Sequence, residues 1–160
     1  MISESDKALF RSVVENNAPV NKDKTMLQDP TKKKAFKAYT YITHGSLSDS
    51  DIINYARNGV SPKIIKKMKQ GNISHVPSLD LHGQTTIEAC QSLSKFMHYH
   101  QHQQFIHIIH GKGYNSDQGN SILKSQVVSF LHQHPDVLAF NSCPPKDGGT
   151  GAVFALLRQN

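Results

Sequence analysis

The sequence predicts an α/β domain of β-α-β-α-β-β order over residues 76–160, behind a helical and partly disordered basic extension over residues 1–75. Three observations carry this reading. Short apolar-rich runs at 78–82, 105–109, 137–142 and 152–158 have strand character, and the first alternates apolar and polar residues. The segments linking the first three runs place apolar residues at helical spacing. The net charge of +6 lies wholly upstream: residues 1–77 hold 13 Lys and Arg against 7 Asp and Glu, whereas residues 78–160 hold 5 of each. Strand–helix–strand units with short connections imply right-handed crossovers and a sheet covered by helices, with the last two strands antiparallel.

Residues 5–16 set Ala8, Leu9, Val13 and Val14 near helical spacing behind serines able to cap, which predicts a short amphipathic helix that either docks on its own domain or, as the preferred reading, hooks onto a partner. Residues 18–37 have linker composition, ending in Lys32-Lys33-Lys34-Ala35-Phe36-Lys37. With Phe36, Tyr39 and Tyr41 interleaved, these lysines suit nucleic acid, because aromatic faces stack on bases while ammonium groups meet phosphates. Residues 48–57 and 62–70 read as two short helices split by Gly59 and Pro62. The second sets Ile64, Ile65 and Met68 against Lys63, Lys66, Lys67 and Lys69, a pattern better explained by packing on the main domain than by DNA reading.

Within the domain, strand 78–82 leads into Thr85-Thr86-Ile87-Glu88, a T-x-x-E capping box, and then a helix to about His102. After strand 105–109 and a glycine loop, Asn120 or Ser121 starts a helix that stops before Pro135. Strands near 137–142 and 152–158 are joined by a loop holding Gly148-Gly149-Thr150-Gly151.

No run approaches the roughly 18 apolar residues of a membrane span, and the polar start carries no signal core. Two cysteines, Cys90 and Cys143, are too few for a disulfide framework, so reduced thiols in a cytoplasmic protein are expected. A neutral domain behind a basic arm points to a polyanionic partner held by sequence-independent phosphate contacts.

The chemistry concentrates at two strand ends. In Leu79-Asp80-Leu81-His82-Gly83 the leucines point one way, while Asp80 and His82 point the other. Ile109-His110-Gly111-Lys112-Gly113 ends the next strand in a turn suited to close approach of a phosphate. If the two strands are neighbours, both histidines, Asp80 and Lys112 share one sheet edge, where open α/β sheets present functional groups. An antiparallel last strand brings the Gly148–Gly151 loop to the same edge. His98, His100, His102, His132 and His134 are expected on the surface.

These two runs, with Gly148-Gly149-Thr150-Gly151 ahead of a final apolar strand, resemble the L-D-x-H-G and H-G-x-G signatures of the Smr (small MutS-related) domain over about residues 76–160. The resemblance implies a small two-layer α/β sandwich like the C-terminal domain of a bacterial translation initiation factor, and nuclease activity. Ser3 to Arg11, the basic linker and the K-K-M-K-x-G segment are similar to stand-alone proteobacterial members, implicated in cutting mRNA at collided ribosomes. Gln84 stands where an apolar residue is common, and Lys124 where arginine is frequent.

Carried onto this sequence, the resemblance makes Asp80, His82 and His110 the catalytic set. Gly111, Lys112, Gly113, Lys146, Gly148 and Gly149 would hold the substrate. Two routes are open. Without metal, one histidine takes the 2′-hydroxyl proton, a second acid protonates the leaving 5′-oxygen, Asp80 orients an imidazole and Lys112 faces the phosphorane. Alternatively Asp80, His82 and His110 hold a divalent metal that activates water. The metal-free route is preferred, because a phosphodiesterase metal pair normally brings more than one carboxylate. The expectation is therefore a cofactor-free endonuclease cutting mRNA on stalled or collided ribosomes. Lys32, Lys33, Lys34 and Lys37 would contact RNA and the ribosome, and no membrane is involved. A structure-specific DNA nickase and a non-catalytic nucleic-acid-binding module are the alternatives.

Overall fold

The computed structural model describes residues 46–113 and 121–159. The amphipathic hook at 5–16 and the Lys32–Lys37 run lie outside them. Five strands form one sheet in the order β1-β4-β5-β3-β2, where β1 is Asn54–Ala56, β2 Ser78–Asp80, β3 Phe105–Ile109, β4 Val137–Ser142 and β5 Ala152–Leu157. Only β2 and β3 run parallel; β3 and β4 flank β5 antiparallel, and β1 closes the β4 edge antiparallel.

Two helices cover one face. The first of them, Thr86–Tyr99, opens with the expected capping box: Thr85 Oγ1 accepts the Glu88 N–H, and Glu88 reaches back to the Thr85 N–H. The second, Ile122–Gln133, starts at Ser121 and ends ahead of Pro135. Their apolar sides meet Leu81, Ile106, Ile108, Phe140, Val153 and Ala155 in the larger core cluster. Sheet and helix pair make the α/β sandwich expected from the β-α-β-α-β-β pattern.

Two upstream elements complete it. Residues 48–57 do not form a helix. Ile53 and Tyr55 turn inward at every second position, the period of a strand, and Tyr55 stacks on Phe140 at 4.9 Å. β-Branched and aromatic residues fit that half-buried edge better than a helix face, so the sheet draws on chain upstream of residue 76. Residues Pro62–Gln70 do form a helix, capped at its C-terminus by left-handed Gly71. Met68, Ile64 and Ile65 pack on the sheet's second face against the cluster of Ala139, Phe154 and Leu156. In chain order these helices are α1 (Pro62–Gln70), α2 (Thr86–Tyr99) and α3 (Ile122–Gln133). No described helix is long and apolar enough to cross a membrane.

Candidate functional site

The strand register decides what meets. Asp80 pairs with Ile109, and the ladder continues as the Leu81 N–H donates to the Ile109 carbonyl at 2.7 Å, so the two signature runs leave the sheet side by side. β5 begins opposite Ile109, which brings the Gly148–Gly151 turn to the same edge. Gly111 is left-handed, and a Cβ there would sit 3.7 Å from the His82 Cβ, ordinary contact distance. Gly151 is more confined: a Cβ would come within 3.0 Å of the Lys112 side chain. Its carbonyl accepts the N–H groups of both His110 and Gly111 at 3.0 Å. Absence of a side chain at residue 151 lets the third loop close on the second.

Alternation buries Leu81 and turns Asp80 and His82 outward. Asp80 Oδ1 accepts two hydrogen bonds from His82, one from the backbone N–H at 3.0 Å and one from Nδ1 at 2.6 Å. The side chains are 75% and 47% exposed for His82 and Asp80. With Nδ1–H committed to the carboxylate, Nε2 carries the free lone pair of the ring. Partial burial pushes the Asp80 pKa up, but the two His82 hydrogen bonds and the nearby His82 and His107 rings outweigh it and hold the carboxyl below its ordinary range.

His110 is the opposite kind of histidine. Only 3% of it is exposed. Nδ1 lies 2.8 Å from the Gly111 carbonyl, which can only accept, so Nδ1 holds the proton and Nε2 is a bare acceptor. Among the described residues Nε2 has no hydrogen-bond partner. Burial lowers its pKa to about 4; the Gly111 hydrogen bond opposes this and the Lys124 ammonium adds to it. His110 is therefore neutral at pH 7.

Folding stability follows from that pKa. An unfolded histidine binds its proton at about pH 6.5, whereas His110 in the fold resists it down to about pH 4. Stability is then full above pH 6.5 and is lost as the pH falls toward 4, by about 3 kcal/mol for this group. His134, buried rather than on the surface as expected, shifts the same way: desolvation and Arg57 lower its pKa against the opposing pull of Asp136. Urea denaturation across this pH range should show the loss, and His110→Gln should flatten it. A profile unchanged by that substitution contradicts the assignment.

Of the residues expected to hold substrate, Lys112 and Lys146 are exposed, and the Lys146 ammonium touches the Gly71 carbonyl at 3.4 Å. The N–H groups of Gly111, Gly148 and Gly149 donate to the carbonyls of Gly151, Pro145 and Pro144, so these amides are already engaged. Gly113 lies against Ser121. Among the described residues no three His, Cys, Asp or Glu side chains group as a metal-holding set.

Two neighbours of the site were not evident as such in the sequence. His107, on the Asp80 face of β3, has Nδ1 3.0 Å from Ser78 Oγ and donates from Nε2 to the Asp147 carbonyl at 3.0 Å, tying β2 to the third loop. The i, i+2 relation of His107 to Ile109, which pairs with Asp80, is the signal that could have found it. Lys124 is fully buried, and its ammonium donates to the carbonyls of Ser48, Asp49 and Asp51 at 3.1, 3.1 and 2.5 Å.

Residues 79–158 match the family model described as the Smr domain. The chain is similar to a protein of Tolumonas auensis named ribosome rescue factor SmrB, 31% identical over 99% of this chain and 96% of that protein. A protein of the same name from Salmonella paratyphi B is also 31% identical, over 98% of this chain and 91% of its own length. Among solved structures, YdaL, a stand-alone small MutS-related protein from Escherichia coli, aligns with a TM-score of 0.63 and 26% identity over 75% of this chain and 95% of that one. The matched region spans the two strand ends that carry Asp80, His82 and His110, and on these grounds the chain belongs to the Smr domain family.

Proposed function

We propose that this chain is an endonuclease that cuts RNA, namely mRNA on stalled or collided ribosomes. The observation that carries the reading is the exposed His82 ring, oriented through Nδ1 by Asp80 at 2.6 Å, at the mouth of two loops bearing Lys112 and Lys146. In this reading His82 Nε2 takes the proton of a ribose 2′-hydroxyl, and Asp80 stabilises the imidazolium that results. The freed oxygen attacks the adjacent phosphorus. Lys112 faces the negative charge that develops there, and its ammonium gives a proton to the departing 5′-oxygen, which leaves as a 5′-hydroxyl as the P–O5′ bond breaks. His110, neutral and buried, stays out of reach of the strand and instead holds the second loop through its Nδ1–H bond to the Gly111 carbonyl at 2.8 Å. Names of the full-length relatives support the ribosomal setting. Lys32, Lys33, Lys34 and Lys37 supply the contact with ribosomal RNA by phosphate pairing.

The test is cleavage of end-labelled single-stranded RNA and of the same sequence as DNA, each with and without chelator. The reading expects RNA to be cut in chelator and DNA to stay intact. DNA nicking that needs a divalent metal would replace it with the nickase reading, and binding without cleavage of either strand would replace it with a non-catalytic module.

A further inference from the structure

Beside His82 the surface is hollowed into an open groove of about 460 Å³, walled by the His82–Gly83 turn on one side and by Gln84 and α2 on the other. The wall on α2 consists of Glu88, Gln91, Ser92 and Lys95. Steps of three, four and seven residues put these side chains in one stripe of the helix. Tyr99, eleven residues beyond Glu88, continues the stripe and is 80% exposed. Helical rise makes the stripe about 16 Å long from Glu88 to Tyr99.

The chemistry along the stripe is ordered. Nearest His82, the Gln84 carbonyl oxygen accepts from Ser92 Oγ at 3.1 Å, which leaves the amide nitrogen of Gln84 as a donor. Glu88 Oε2 accepts from the Thr85 N–H and hydroxyl at 2.8 Å, which ties the one carboxylate in the wall to the helix N-terminus, where the helix dipole offsets part of its charge. Farther out stands Lys95, exposed and in no ion pair among the described residues. The Tyr99 ring follows, propped at its edge by His100 at 4.9 Å. Amide donor, ammonium and exposed aromatic in line from a strand end are what a single strand of RNA needs: polar groups for a base edge, a cation for a phosphate, a face for stacking.

We propose that this groove seats the single-stranded RNA flanking the scissile phosphate, with Lys95 on a backbone phosphate and Tyr99 under a base. The proposal rests on the nuclease reading for the direction of the strand, but it is tested by binding alone. The probe is a fluorescein-labelled single-stranded 2′-O-methyl RNA, which lacks the attacking hydroxyl, titrated with full-length protein and read by anisotropy at several salt concentrations. Lys95→Gln is expected to weaken binding about fivefold and to flatten the dependence of log Kd on log salt by about 0.7, the share of one phosphate on a single strand. Tyr99→Ala should weaken it about tenfold with the salt slope unchanged, and Tyr99→Phe should bind as wild type. Both sites are exposed, so melting temperatures should hold. Wild-type affinity in both Lys95→Gln and Tyr99→Ala, or no binding by the wild-type protein, overturns the groove. If cleavage of unmodified RNA is absent while these affinities fall as stated, the nuclease reading fails and the groove stands.

Discussion

His82→Ala is expected to slow single-turnover cleavage of RNA by about 10² to 10⁴-fold while leaving the protein folded. The range is that of a lost general base. The ring is three-quarters exposed and joins no core cluster, so its removal should change stability by no more than about 0.5 kcal/mol. Asp80→Asn separates orientation from charge. An amide of the same shape can still meet Nδ1, but it gives no charge to an imidazolium and can present its NH₂ to the ring, stabilising the tautomer with the proton on Nε2. Cleavage should fall by about 10²-fold or more with binding unchanged. Measured rates within a factor of about three of wild type for both variants would remove Asp80 and His82 from the chemistry.

Lys124→Met should cost about 2–4 kcal/mol of folding stability, read as a lower urea midpoint at unchanged slope. The methionine fills much of the same volume but leaves the carbonyls of Ser48, Asp49 and Asp51 without their shared donor. Those carbonyls belong to the turn that leads into β1, so the loss should reach the sheet edge where β1 pairs with β4. Burial lowers the Lys124 pKa while Asp51 and Asp49 oppose that shift. Among the described residues three backbone hydrogen bonds, with no carboxylate in ion-pair contact, hold this ammonium in the interior. A midpoint within error of wild type would show that water replaces the ammonium at no cost.

The parts of the fold visible in the sequence are those where one period dominates. Phe105–Ile109 and the Thr85–Glu88 box form as read, because an apolar strand run and a reciprocal cap need no knowledge of the rest of the chain. Residues 48–57 carry no single period: the polar residues around Ile52 and Ile53 fit a helix start, and only pairing with β4 selects the strand. The site divides the same way. Both signature runs can be placed at one edge from alternation and glycine positions alone. Yet His82 and His110 look alike in the sequence, each ending a strand before a glycine, and only the packed register makes one exposed and the other neutral and buried. Lys124 is invisible for a related reason, since a lysine on a helix reads as a solvated residue until the carbonyls that receive it are in place. His107 and the α2 groove likewise depend on which strand lies beside which.

In the proposed reaction the ribose 2′-hydroxyl is the nucleophile and His82 its base. Analysis of the ends left by cleavage tests it most directly, using an RNA and its twin with a single 2′-deoxy nucleotide at the cut position. The first should yield a cyclic phosphate and a 5′-hydroxyl, and the second no cut at that position. A 5′-phosphate product, or equal cleavage of the deoxy-substituted strand, would contradict it.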